Sequence, residues 1–339
     1  MGPAADRGQE TTGIEVAEAF KNVIKSKTVL ITGVSPKSLG ESTALAIARH
    51  RPAKLILASR TESKLQQVAD GIAQVDSSLE VELIVINLSS QADIHDAAGK
   101  VRALTDRLDI LINNAAVVTS ARGETTEGIE LQFGTNHVGH HLLTSLLMPL
   151  LLAGAEASGE PGTTRIVNVS SLGYRLSPIR FHDYNFEGKP VPPEEEPPAG
   201  IPSHMKPDAA AGRPYYAFTA YGQSKTANML HAVALKEKLS CKGIQAFAVH
   251  PGSIWTDLSR NLSEEDLKII EGTSTFWKDQ DQGCATTIAA AFDPDLCGAK
   301  QAFLSDCHLE DVAEYAKDSV IAEKLWQLSE ELTGESAKL

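Results

Sequence analysis

TVLITGVSPKSLG, residues 28 to 40, decides the fold. The run from Thr28 to Thr32 is entirely apolar or β-branched, as befits a strand buried on both faces of a parallel sheet. Gly33 breaks it, Ser35, Pro36, Lys37 and Ser38 supply turn chemistry, and helical spacing of apolar residues holds from Ser42 to His50. A strand, a tight glycine turn and a helix start leave backbone N–H groups unpaired at the positive end of a helix dipole. That arrangement accepts a pyrophosphate.

Outward from this unit the same alternation repeats. Candidate strands are TVLIT (28 to 32), KLILAS (54 to 59), VELIVI (81 to 86), DILIN (109 to 113), RIVNVS (165 to 170), IQAFAV (244 to 249) and QAFL (301 to 304). Between them, Ser63 to Ala73, Ala92 to Arg107, Leu131 to Leu152 and Thr219 to Leu239 carry helical periodicity. The expectation is an α/β protein with one Rossmann-type domain, residues 27 to 339: a doubly wound parallel sheet of about seven strands with helices on both faces. Residues 1 to 26 read as an N-terminal arm or capping helix. Residues 189 to 214 hold eight of the 16 prolines and the run Glu194, Glu195, Glu196, which excludes a helix or central strand. This insertion is expected to cover a substrate entrance.

With 31 Lys plus Arg against 44 Asp plus Glu, the net charge of -13 repels nucleic acid and anionic membrane surfaces, so any nucleotide bound needs a local positive site. Cys241, Cys284, Cys297 and Cys307 lie far apart without metal-ligand spacing, so reduced thiols and no metal are expected. The N-terminus lacks an apolar core like that of a secretory signal. The most apolar run, Leu142 to Ala155, is shorter than a membrane span and contains Pro149, which predicts a core helix and no span. The cytosol is the expected compartment. The final Ala337, Lys338 and Leu339, similar to the tripeptide read by the peroxisomal import receptor, give a peroxisomal alternative.

Two constellations carry chemistry. An NAD site places a carboxylate at the end of the second strand, about 20 residues past the glycine turn. Ala58, Ser59 and Arg60 stand there instead, and the Arg60 fork suits a 2′-phosphate. Within a predicted helix, Tyr221 and Lys225 are four residues apart and share a face. An ammonium there is expected to lower the phenol pKa toward working pH, as a general acid requires. Upstream, Ser170 and Ser171 end the fifth strand at the sheet edge where open α/β folds bind ligands.

In order along the chain, these residues resemble the short-chain dehydrogenase/reductase family. Its turn reads T-G-x-x-x-G-x-G. Here Thr32 and Gly33 open it and Gly40 closes it, with one extra residue between and Ser38 in the middle glycine's place. The wording TNHVGHHLLT, RIVNVSSLGYR and FHDYNFEG is similar to the retinol dehydrogenase-like and WW-domain-oxidoreductase-like branch, although no WW module is present. The resemblance implies catalytic roles for Ser171, Tyr221 and Lys225, with Asn136 holding a water in the proton path. It implies cofactor binding by Gly33, Ser35, Lys37, Ser38, Leu39, Gly40, Arg60, Asn87, Leu88, Asn114, Ala115, Tyr221, Lys225, Pro251, Gly252, Ile254 and Thr256. Ala116 replaces the glycine of the family's N-N-A-G.

The expected activity is hydride transfer between NADP(H) and a small-molecule carbonyl or alcohol. Rival readings are an epimerase or dehydratase that retains its cofactor, and a dinucleotide-binding scaffold without turnover. The family's habit of pairing through the two long helices implies a homo-oligomer.

Overall fold

A computed structural model describes residues 7 to 202, 206 to 208, 210, 212 and 214 to 339. The expected residues 1 to 6 of the arm, and 203 to 205, 209, 211 and 213 of the insertion, lie outside the described residues. Eight strands form one sheet in the order β3-β2-β1-β4-β5-β6-β7-β8: β1 Thr28–Thr32, β2 Lys54–Ser59, β3 Val81–Val85, β4 Ile110–Asn113, β5 Thr164–Val169, β6 Ile244–His250, β7 Phe303–Ser305 and β8 His308–Leu309. All pairings are parallel except β7 with β8, the one strand the sequence did not signal. Two residues are too few to show alternation.

The order reverses where the chain crosses from β3 to β4, so the C-terminal ends of β1 and β4 splay into a cleft. Every residue of β1, β4, β5 and β6 is buried. These strands therefore read as continuous apolar runs, and helices must cover both faces. On one face lie Gln91–Leu104, Leu131–Ser158, Ala217–Leu239 and the C-terminal helix Ser319–Thr333. On the other lie Gly13–Ala19, Leu39–Ala48, Glu62–Val75 and Gln280–Phe292.

Two expectations are sharpened, the capping helix and the core helix, and one, the insertion, changes. The N-terminal arm is part of the body from residue 7 on: Arg7 pairs with Asp293 at 2.7 Å, and helix Gly13–Ala19 packs on Gln280–Phe292, with Gly13 directly against Cys284. The apolar run belongs to a 28-residue helix, Leu131–Ser158, of mean hydropathy 1.4, long and apolar enough to cross a membrane. Its most apolar window is 72% buried inside the fold, so here it packs as core. The described part of the insertion turns away from the cleft, where Glu195 bonds His182 at 2.9 Å and approaches Lys324 of the C-terminal helix at 3.8 Å.

The long-helix face expected to pair with a second copy is also occupied. Helix Ser319–Thr333 lies across both long helices and buries Ala322, Leu325 and Trp326 in their core. The chain covers with its own C-terminus the surface on which the oligomer expectation rested.

Candidate active site

At the splayed strand ends a cavity of about 680 Å³ runs from Arg60 to Trp277. Its inner end is the glycine turn. Gly33 takes φ +73°, and a Cβ there would stand 2.6 Å from the Ala115 Cα, so only glycine lets this turn close on β4. Ser38, in place of a glycine, caps helix Leu39–Ala48: its Oγ accepts the Glu41 and Ser35 N–H groups at 3.2 and 3.1 Å. Gly40 is buried against the Gly33 carbonyl. Asn114 braces the turn, its Nδ2 donating to the Thr32 carbonyl at 2.7 Å.

Of the residues expected to bind cofactor, Gly33, Ser35, Ser38, Leu39, Arg60, Leu88, Asn114, Ala115, Tyr221, Lys225, Pro251, Gly252, Ile254 and Thr256 line the cavity. Lys37, Gly40 and Asn87 do not. Lys37 is exposed with φ +62°, and its N–H is held by the Glu41 carboxylate at 2.6 Å. The extra residue of the turn moves it outward. Asn87 is spent locally, accepting from the Ser89 hydroxyl at 2.8 Å. Lys64, in the first turn of helix Glu62–Val75, lines the same cavity as Arg60.

The chemical groups meet at the middle of the cavity. Tyr221 and Lys225 project from helix Ala217–Leu239, with the Lys225 Nζ 5.5 Å from the Tyr221 ring centroid. Ser171 follows β5 and accepts the Gly173 N–H at 3.0 Å, and its hydroxyl and the Tyr221 ring both flank Gly173. Ser170 is structural, donating to the Lys225 carbonyl at 2.8 Å. Burial pushes Tyr221 up to about 12, against the pull of Ser171, and pushes Lys225 down to about 7. The expected lowering of the phenol by the ammonium is thus not what these residues show. Burial disfavours both charged forms, and an ammonium that titrates near neutrality has lost much of the charge meant to do the lowering.

Asn136 is wholly buried in a π turn, Gly134–Val138, of the first long helix. Its Nδ2 donates to the Val117 carbonyl and Ser224 Oγ, both at 3.0 Å, and its Oδ1 accepts the Val117 N–H at 2.7 Å. The side-chain amide is a brace, and its backbone carbonyl oxygen lies 3.0 Å from His140 Nδ1.

The outer wall comes from residues 255 to 277, and none of the described residues of the insertion lines it. Trp255 and Trp277 stack there at 4.7 Å and 12°, and Leu258, Ile269, Ile270 and Phe218 complete an apolar rim. Gly252, at φ +100°, packs on the stem of buried Lys278, whose Nζ holds Asp306 at 2.5 Å and so fixes the loop that carries Thr256.

The short chain dehydrogenase profile matches residues 27 to 185. Short-chain dehydrogenase TIC 32 B, chloroplastic, from Brassica napus is 34% identical over 325 residues, 95% of this chain and 92% of that protein. Retinol dehydrogenase 12 of Mus musculus is 33% identical over 311 residues, covering 92% and 87%. An uncharacterized protein of Mycobacterium Paratuberculosis has the same fold, with a TM-score of 0.64 and 25% identity over 99% of this chain and 98% of that one. The cytosolic expectation, with its peroxisomal alternative, gives way to these relatives, since one of the most similar is named as chloroplastic.

Proposed function

The chain belongs to the short-chain dehydrogenase/reductase family, in its retinol dehydrogenase-like branch, and from that premise we propose that it transfers hydride between NADP(H) and an apolar carbonyl or alcohol. The observation that carries this reading is the convergence of Ser171, Tyr221 and Lys225 on one cavity that also holds the glycine turn. Three features fit the dinucleotide: the Gly33 cradle, two cations at Arg60 and Lys64 without an ion pair among the described residues, and no acid at the end of β2. When bound, the nicotinamide supplies or accepts the hydride.

The chain's own groups manage charge and protons. In reduction, the Ser171 hydroxyl holds the substrate oxygen and polarises it, and the Tyr221 hydroxyl gives that oxygen a proton as negative charge develops. A neutral phenol is the form burial favours, so Tyr221 starts with the proton it must donate. Lys225, whose Nζ donates to the Val169 carbonyl at 3.0 Å, offers positive charge, in its protonated fraction, to the tyrosinate left behind, and that fraction grows as pH falls below about 7. Asn136 supports return of the proton through its carbonyl. The Trp255 and Trp277 rim desolvates an apolar substrate body.

The test is a panel of aldehydes, ketones and quinones with NADPH, scored by matched loss of NADPH and gain of alcohol. Substrate isomerised without net NADPH loss means an epimerase. NADPH bound with no substrate turned over means a scaffold.

A further inference from the structure

His140 lies one turn beyond Asn136, is 2% exposed, and lines no part of the cavity. Its Nδ1 is 3.0 Å from the Asn136 carbonyl oxygen, and its Nε2 is 2.9 Å from the Thr32 Oγ1. A carbonyl only accepts, so Nδ1 carries the hydrogen and Nε2 offers a lone pair. The Thr32 hydroxyl then donates to Nε2 at 2.9 Å in preference to the Ile112 carbonyl at 3.4 Å. Its oxygen accepts the N–H groups of Asn114 and Ala115 at 2.9 and 3.0 Å, which completes its bonding capacity. Asn114 and Ala115 form the cofactor wall of the cavity. At the other end, the Asn136 amide is tied to Ser224, the neighbour of Lys225, and the Lys225 charge is felt at His140. One imidazole thus joins the end of β1, the end of β4 and the π turn of the proton-resupply residue.

We propose that His140, as the neutral Nδ1–H tautomer, is a positioning residue with two limbs: its Nδ1 sets the Asn136 carbonyl for proton return to Lys225, and its Nε2 sets the Thr32–Asn114–Ala115 backbone that receives the dinucleotide. The idea rests on the hydride-transfer reading above for its first limb and only on cofactor binding for its second. The imidazole ties the π turn, through a separate ring nitrogen in each direction, to the paired ends of β1 and β4, so each limb can be cut separately.

Three variants do this. His140→Phe removes both limbs; His140→Asn places an amide near the Nδ1 position without reaching Thr32; His140→Gln reaches the Nε2 position instead. Loss of one buried hydrogen bond at the site should cost about tenfold. The Phe variant should lose about tenfold in kcat, with an increased solvent isotope effect and unchanged KM for the carbonyl, and should bind NADPH about tenfold more weakly in a fluorescence titration. Asn should restore kcat but not NADPH affinity, and Gln NADPH affinity but not kcat. Equal kcat and Kd in all four proteins would overturn the proposal. So would losses of kcat and affinity that track Tm across all three variants with no change in isotope effect, or an imidazole ¹⁵N spectrum of the parent showing the Nε2–H tautomer. If the parent binds NADPH but turns over no carbonyl, the hydride-transfer reading fails, and the NADPH affinities of the Phe and Gln variants still decide the Thr32 limb.

Discussion

At the scale of single residues, Tyr221 and Arg60 separate chemistry from binding. Tyr221→Phe removes one oxygen and keeps the buried ring, so it should leave NADPH affinity unchanged while slowing turnover about 10²- to 10⁴-fold. Unchanged kcat would disqualify Tyr221 as the proton donor. Arg60→Asp replaces a cation on the cavity wall with an acid, so NADPH should bind more weakly than NADH in the variant and more tightly in the parent; equal Kd values in the parent would refute the preference. Much of this was legible because tyrosine, lysine and serine spacing survives as short motifs. Lys37 misled because one inserted residue rotates a turn in a way no residue count reveals. Asn136 was found as a residue but not as a carbonyl, since only coordinates show its amide already spent on Val117 and Ser224. The pKa values were not legible at all, because burial sets them and sequence does not report depth.

At the scale of elements, the strands were read within a residue or two from their apolar runs, and the long helices from periodicity. Helices Gln280–Phe292 and Ser319–Thr333 were missed; the first is small-residue rich, so apolar positions fall on every side. Between the two long helices lies a packed trio, His137 and His141 from the first and His231 from the second, with ring centroids 5.3 to 6.1 Å apart and Trp326 over them. Burial holds all three below the usual histidine range, His141 at about 3. In the unfolded chain they titrate near 6.5, so their neutral burial costs nothing above that pH. Below it the unfolded state binds protons that the folded state refuses, and stability falls by about 1.4 kcal/mol per pH unit per histidine. Glu130, raised by burial to about 7, works in the opposite sense and offsets one of them between about pH 7 and 4.5. Urea midpoints should therefore drop steeply from pH 6.5 to 5. His141 has no partner at either ring nitrogen, so His141→Phe should keep stability at pH 7.5 and flatten that drop by about one proton's worth. An unaltered slope would show that His141 is not among the groups responsible.

At the scale of the whole molecule, the decisive feature is that both faces of the sheet are closed by the chain itself. The N-terminal segment seals one side through Arg7 and Gly13, and the C-terminal helix seals the other over the two helices that carry Asn136 and Tyr221. The family resemblance gave no view of this, because the motifs end at Thr256 and the covering helix begins at Ser319. Trp326 is the residue on which the cover depends: it is 4% exposed, packs edge-on to His141 at 4.7 Å, and has the Lys238 ammonium 5.1 Å from its ring centroid. Trp326→Ala should cost about 3 to 5 kcal/mol if the helix stays docked around the cavity it leaves. Trp326→Asp buries an unpaired charge and should instead lift the helix away, exposing Leu142, Leu230 and their neighbours. A bared apolar face of that kind drives association. Light scattering should then show a parent whose mass is independent of concentration, and an aspartate variant whose mass rises with it while NADPH still binds, since the cavity lies at the strand ends and not beneath this helix. A parent that already dimerises, and loses its dimer on Trp326→Asp, would mean that the C-terminal helix is itself the interface and not its cover.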